Sequence, residues 1–353
     1  MTEEALAESG LGRPGDFPGP LFLALPPVEV EWPQRRALAA AAGARNDPTA
    51  AGNGHVTYDD LIRAAGADRF RPWYPRFQFA SVGEALAERF GAKGSPIAIS
   101  TACASGGTAI QLGVEAIRRG EAEAALVVGT DASVNPESLI RFSLLSALST
   151  RNDPPQAAAR PFSKDRDGFV MAEGAGALVL ESLAHARARG ATILGVIEGC
   201  GEAADGFHRT RSSPDGKPIV ACMTRALTDA GLTPDAIGYV NAHGTGTPEN
   251  DKMEYGGLLA VFGERANSLP TSSNKSMIGH TLTAAGAIEA IFSLYTMRHG
   301  LLPPTINYDT PDPALPLDCV PNIARAATVR HAISNSFGFG GQNVCVVLGR
   351  EPA

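Results

Sequence analysis

The chain reads as an α/β protein built from two similar halves, and three features of the sequence predict this. The first is a strand–helix–strand unit. A short apolar run, Pro96-Ile97-Ala98-Ile99-Ser100, is followed by a mostly uncharged segment over 103–119 and a second apolar run over 124–129. That order implies a crossover helix and a parallel sheet. The second feature is the same alternation after Ile193, with strand-like runs at 193–200, 238–242 and 270–273 and helix-like segments at 219–230, 251–262 and 281–299. The third is a terminal hairpin joining 331–335 to 344–348 through Gly338-Phe339-Gly340-Gly341. The matching order of elements indicates an internal structural duplication, although no literal sequence repeat accompanies it. The halves divide near residue 190, as 1–190 and 191–353.

Taken in order, residues 1–57 are rich in Ala, Gly and Pro and weakly patterned. Leu21-Phe22-Leu23-Ala24-Leu25 is their one strand-like run, ended by Pro26-Pro27. The stretch 37–50, with Gly43 and Asn46-Asp47-Pro48, predicts an exposed connection. Residues 58–65 predict a short helix, and 77–90 a second one with Phe79, Val82, Leu86 and Phe90 at helical spacing. The run 96–100 is too short for a helix and reads as a buried strand. In 103–119, Ile110, Val114 and Ile117 share a face, Arg118 and Arg119 suit the C-terminal dipole, and Gly120 suits the cap. Segment 136–148 carries Phe142, Leu144 and Leu145 as apolar anchors; 169–181 predicts a strand and 184–189 a short helix closed by Gly190.

Composition narrows the class. The 44% hydrophobic and 19% charged residues fit a soluble globular protein. A net charge of −7 gives no reason to expect non-specific nucleic-acid binding. The opening Met1-Thr2-Glu3-Glu4 has neither a basic region nor an apolar signal segment, and no run approaches the roughly 18 apolar residues of a membrane span. Five scattered cysteines without C-x-x-C spacing support neither a disulfide framework nor a metal site. The expectation is a cytoplasmic protein with reduced thiols.

The chemistry centres on Cys103, in Thr101-Ala102-Cys103-Ala104-Ser105-Gly106-Gly107. It falls on a strand-to-helix turn, where helix N–H groups and the dipole favour the nucleophilic thiolate. An arbitrary cysteine is more often a small buried hydrophobe. Three later loops, each ending a predicted strand, change that balance. They are Asn241-Ala242-His243-Gly244-Thr245-Gly246-Thr247, Ser273-Asn274-Lys275-Ser276-Met277-Ile278-Gly279-His280, and Ser334-Asn335-Ser336-Phe337-Gly338-Phe339-Gly340-Gly341. In open α/β sheets, loops at the carboxyl ends of strands meet at one crevice, so Cys103, His243, Lys275, His280 and Phe339 can share a site. Singly these signals are weak: either histidine suits a structural role, the lysine a solvated charge and the glycines an ordinary turn.

Together, in this order, the four blocks resemble the β-ketoacyl–acyl carrier protein synthases, elongating condensing enzymes of the thiolase-like superfamily with a Cys-His-His triad. The resemblance runs from about Phe77 to Leu348, and the second histidine, in Lys275–His280, separates it from initiating condensing enzymes and thiolases. It implies a thiolase-like fold of two halves stacked as α-β-α-β-α layers. It also implies decarboxylative condensation of an acyl group on Cys103 with malonyl-acyl carrier protein. His243 and His280 would serve the developing enolate, and the N–H groups of Cys103 and Phe339 a second oxyanion hole. Lys275 would add positive charge, paired with Glu289. Thr245 and Thr247 match positions that bind the pantetheine arm; Phe142, Leu144 and Ile110 are candidates to line the acyl pocket. No bound cofactor or metal is implied, since phosphopantetheine arrives on the carrier protein. The implied partners are acyl carrier protein and a second ketosynthase chain, as homodimer or as heterodimer with a related ketosynthase. The family's usual opening strand and basic helical region have no match here, so the N-terminal half is expected to lack part of its sheet. A polyketide-type ketosynthase, or a non-catalytic or partner-dependent subunit, remains as the alternative.

Overall fold

A computed structural model describes residues 1–13, 15–43 and 56–350. The elements run α1 (Thr2–Ser9), β1 (Leu21–Ala24), α2 (Trp32–Gly43), α3 (Tyr58–Ala65), α4 (Phe79–Phe90), β2 (Ile97–Ile99), α5 (Ser105–Arg118), β3 (Ala124–Asp131), α6 (Pro136–Leu144), β4 (Gly174–Glu181) and α7 (Leu183–Ala188). They continue β5 (Val196–Ala204), α8 (Lys217–Ala230), β6 (Tyr239–Asn241), α9 (Pro248–Phe262), β7 (Thr271–Ser272), α10 (Lys275–Ile278), α11 (Ala285–His299), β8 (Leu301–Leu302), β9 (Arg325–Ala326), β10 (His331–Phe337) and β11 (Gln342–Gly349).

Two mixed sheets form the core. The first has the order β2-β1-β3-β4 and the second β5-β11-β10-β6-β7. β1, β2 and β3 are parallel and β4 runs against β3. In the second sheet β6, β7 and β10 are parallel, with β11 antiparallel to both β10 and β5. α5 and α11 pack between the sheets, α1 and α4 against the outside of the first, and α8 and α9 against the second. The layering is therefore α-β-α-β-α. The central helices touch through glycine, because a Cβ on Gly106 would stand 2.5 Å from the backbone nitrogen of Ala287. Among the described residues no helix is long and apolar enough to cross a membrane.

Most elements match the sequence expectations within a few residues, with informative exceptions. Residues 37–43 belong to α2, with Ala41 and Ala42 buried, rather than to an exposed connection; 44–50 lie outside the described residues. The alanine run carries enough intrinsic helix propensity to override a weak pattern. Thr2–Ser9 is also helical, with a left-handed Gly10 closing it. Strand β4 starts at Gly174 rather than 169, because Phe169 and Met171 bridge to Leu148 and His280 instead of to β3. Strand β5 starts at Val196 rather than 193. Leu144 and Leu145 do not act as anchors, being 79% and 39% exposed. Among the described residues the first sheet has four strands against five in the second, as expected of a half lacking part of its sheet.

Candidate active site

Cys103 sits where β2 turns sharply into α5. Ala102 is left-handed at φ 49°, a conformation costly for a residue with a Cβ. The turn is held by N–H of Ala104 donating to Thr101 O (3.1 Å) and the Ser105 hydroxyl donating to Ala102 O (2.6 Å). This geometry leaves Cys103 directly before the N-cap of α5. The backbone N–H groups of Cys103 itself and of Phe339 are near enough to the sulfur to favour its charged form.

His280 lies on the turn between α10 and α11, its N–H donating to Val170 O (2.7 Å) and its C=O accepting from Ala172 N–H (3.0 Å). Its Nε2 is 3.1 Å from the Cys103 sulfur, and its Nδ1 accepts the N–H of Leu282 at 3.2 Å. An acceptor Nδ1 places the proton of the neutral ring on Nε2, so Nε2–H faces the sulfur. His243 follows β6, its ring meeting that of His280 edge-on at 5.4 Å. The sulfur and one nitrogen from each histidine lie within 4.8 Å of one another. This trio is also the group among the described residues whose donors cluster closely enough to hold a metal ion, but an ion there would engage the nucleophile itself.

The His243 loop is fixed from below by two buried carboxylates on α9. Glu254 accepts the N–H groups of His243 (2.8 Å) and Gly244 (2.7 Å), and also the Asn335 amide (3.1 Å). Asp251 accepts the N–H groups of Phe162 (2.7 Å) and Gly246 (3.2 Å). The sequence reading did not single out Glu254, Asp251 or Asn335. The available signal was two acids three residues apart on a helix directly after His-Gly-Thr-Gly-Thr. Thr247 caps α9 by accepting the Asn250 N–H, and its hydroxyl meets that of Thr245 at 2.9 Å.

Electrostatics follow from burial. The Cys103 thiol is pushed up to about 11 by burial, which outweighs the opposing Lys275 charge and the two backbone donors. The helix N-terminus alone therefore does not make a resting thiolate. Burial first, and then the Lys275 charge, hold both His243 and His280 well below the ordinary imidazole range, so both rings are neutral at pH 7. Burial raises Glu254 to about 7 against the pull of its backbone donors. Lys275 and Glu289 form a buried ion pair, as expected, and Glu289 Oε2 has no further partner among the described residues.

A cavity of about 60 Å³ opens on Cys103, His243 and His280 and is lined also by Phe142, Thr245, Thr247 and Phe339. Phe142 and Phe339 join Cys103, Phe169 and Leu282 in an apolar cluster. Ile110 does not line this cavity and packs in the main core with Ala109, Val114 and Val344. The glycine turn after Phe337 is stitched to the 205–209 segment, Gly340 N–H donating to Arg209 O (2.8 Å) and Asp205 N–H to Gly341 O (2.7 Å). A Cβ at Gly341 would stand 1.9 Å from Asp205 O, so only glycine allows this approach.

Two family models match the chain, "Beta-ketoacyl synthase, N-terminal domain" over residues 39–186 and "Beta-ketoacyl synthase, C-terminal domain" over 194–309. The 3-oxoacyl-[acyl-carrier-protein] synthase 2 of Coxiella burnetii is 41% identical over 294 residues, covering 83% of this chain and 71% of that protein. The Synechocystis protein of the same name is 44% identical, with 82% and 70% covered. A beta-ketoacyl synthase from Burkholderia phymatum superposes with a TM-score of 0.83 at 35% identity, over 99% of this chain and 80% of its own. A chain from the complex of a type II PKS acyl-carrier protein with its ketosynthase gives 0.84 at 34%, over 99% and 83%. With both family models, these relatives and the fold in agreement, the chain belongs to the beta-ketoacyl synthase family.

Proposed function

We propose that the protein joins an acyl group to malonyl-acyl carrier protein by decarboxylative Claisen condensation, giving 3-oxoacyl-acyl carrier protein in fatty-acid chain elongation. The observation that carries this reading is one sulfur before a helix start, with the His280 Nε2 3.1 Å away and the His243 ring beside it. Residues 1–190 supply the nucleophile, and 191–353 the histidines and the second oxyanion donor.

In the first half-reaction the Cys103 sulfur attacks the thioester carbonyl of an acyl-carrier protein. Its proton leaves with the departing pantetheine thiolate, and the N–H groups of Cys103 and Phe339 hold the tetrahedral oxyanion. Burial keeps the resting thiol protonated, so sulfur charge develops only as the carbonyl arrives. In the second half-reaction the C–C bond to the malonyl carboxylate breaks, carbon dioxide leaves, and the electron pair moves onto the thioester oxygen. Neutral His243 and His280 donate to that oxygen. Imidazolium ions would instead bind the malonyl carboxylate and oppose its loss. The enolate carbon then attacks the acyl-cysteine, and the expelled thiolate takes up a proton.

Thr245 and Thr247 line the cavity, which supports reading them as the residues that hold the pantetheine arm. The outer edge of β2, where Ile97 is 45% exposed, is read as the contact with a second ketosynthase chain. A non-catalytic subunit has no need of the whole set of sulfur, two neutral imidazoles and a buried ammonium. The test is incubation of purified protein with acyl-carrier protein and carboxyl-labelled malonyl-carrier protein. Acylation of Cys103, labelled carbon dioxide and 3-oxoacyl product are expected. Folded protein that gives neither acyl-enzyme nor product would overturn the assignment.

A further inference from the structure

The two imidazoles are held in different ways. The His280 ring is fixed directly, its Nδ1 accepting the Leu282 N–H. The His243 Nδ1 is buried and has no hydrogen-bond partner among the described residues, so that ring stands where its backbone puts it. The backbone is clamped by Glu254, whose Oε1 takes the N–H of His243 at 2.8 Å and whose Oε2 takes that of Gly244 at 2.7 Å. Asn335 of β10 holds the clamp in turn, its Nδ2 donating to Glu254 Oε1 at 3.1 Å.

The Asn335 amide keeps this orientation only if its oxygen finds a donor on the opposite side. Glu254 and the Met223 sulfur, 3.9 Å from the same Nδ2, both accept, so the amide nitrogen faces them. The oxygen faces β11, where Cys345 lies directly across the ladder and its thiol donates to Asn335 Oδ1 at 3.2 Å. Among the described residues no other group donates to that oxygen. Behind Cys345 stands Cys222 of α8, its sulfur 3.3 Å away and 3.2 Å from Gly201 O. Helix α8 comes this close because Gly201, the β5 partner of Cys345, has no Cβ; one there would stand 2.2 Å from Cys222 O. Cys222, Glu254, Asn335 and Cys345 are all fully buried, so no bulk water is at hand to replace a lost donor.

We propose that Cys345 is a positioning residue for the condensation, its thiol setting the Asn335 amide so that Asn335 and Glu254 hold His243 at the enolate oxygen. The relay rests on the condensation reading and adds to it a residue that touches neither substrate nor the reacting atoms. It runs from the Cys345 thiol through the Asn335 amide and the Glu254 carboxyl group to the His243 backbone. Without the thiol, Asn335 Oδ1 is a buried acceptor with nothing to bond, and the amide gains by turning, which takes its Nδ2 away from Glu254. The clamp on His243 then loosens. The loss falls on the second half-reaction, where His243 donates to the developing enolate. The first half-reaction is spared, because Cys103 and the Phe339 N–H belong to the β2–α5 turn and the 338–341 turn, outside the relay.

The experiment compares Cys345→Val, which keeps an apolar side chain suited to a strand but has no donor, with Cys345→Ser, which restores one. Acylation of Cys103 by acyl-carrier protein and release of labelled carbon dioxide from malonyl-carrier protein are measured on each, alongside urea midpoints. Cys345→Val should release carbon dioxide about tenfold more slowly. It should acylate Cys103 within about twofold of the parent rate. Cys345→Ser should restore release. Asn335→Leu should show the same split, and adding Cys345→Val to it should cost nothing further, since the relay is already cut. Parental release by Cys345→Val, additive losses in the double variant, no recovery with serine, or an equal fall in acylation and release overturns the proposal. If Cys345→Val does not fold, Asn335→Leu decides: parental release there overturns the relay. A parent inactive in both assays overturns the condensation reading and the relay with it, whereas an active parent with an indifferent Cys345→Val overturns the relay alone.

Discussion

Lys275 and Glu289 allow stability and chemistry to be separated by substitution. They are 2% and 1% exposed, and among the described residues Glu289 Oε2 has no hydrogen-bond partner. Lys275→Met keeps the length of the side chain but leaves a carboxylate with no compensating charge in the layer between the sheets. Breaking a buried pair from one side typically costs about 3–5 kcal/mol. Glu289, already raised by burial, escapes part of that cost by taking up a proton, so the loss should be larger at pH 8 than at pH 5. The double change Lys275→Met with Glu289→Leu removes both charges and retains packing, and should return to within about 1 kcal/mol of the parent or exceed it. Activity should behave differently. Both variants lack the charge that helps keep His243 and His280 neutral and that faces the developing enolate, so carbon dioxide release should fall about 100-fold or more in each. Urea unfolding and labelled malonyl decarboxylation measure the two quantities. A double variant as unstable as the single, or one with parental decarboxylation, would refute the reasoning.

Four further outcomes follow from the geometry. Cys103→Ala should abolish acyl-enzyme formation while malonyl decarboxylation persists, since the histidines and Lys275 are untouched; mass spectrometry and carbon dioxide capture read the two. Both histidines are depressed, so decarboxylation should stay level through pH 6.5, where ordinary imidazoles would gain charge. By the same linkage they contribute stability that is present above pH 6.5 and drains away on acidification below it. Glu254, raised to about 7, acts in the opposite sense and loses stability as pH climbs from about 4.5 to 7, so Glu254→Gln should steepen the acid-side fall seen in urea midpoints. Gly106→Ala would press a methyl carbon to 2.5 Å from the Ala287 nitrogen, and separating α5 from α11 should cost about 1–3 kcal/mol or more in thermal unfolding.

The sequence by itself determined which chemistry is present. Periodicity located α4, α5 and α8 closely, because each has an apolar face and a glycine or basic residue at its end. It failed on α2 and α1, where alanine propensity and packing decide and no face is written in the pattern. Cys103, His243, Lys275, His280 and Phe339 were legible because each lies on a loop directly after an apolar run, and loops at strand ends converge in this class of fold.

Tertiary structure decided their electrostatic state. A helix start predicts an easily ionised thiol, yet burial pushes Cys103 up to about 11, since desolvation depends on everything that surrounds the sulfur. The same burial makes both histidines neutral donors, and Glu254 braces the His243 loop from α9, facts that no local window contains. It also moved Leu144 to solvent and Ile110 to the main core, because helix rotation is set by neighbours distant in sequence.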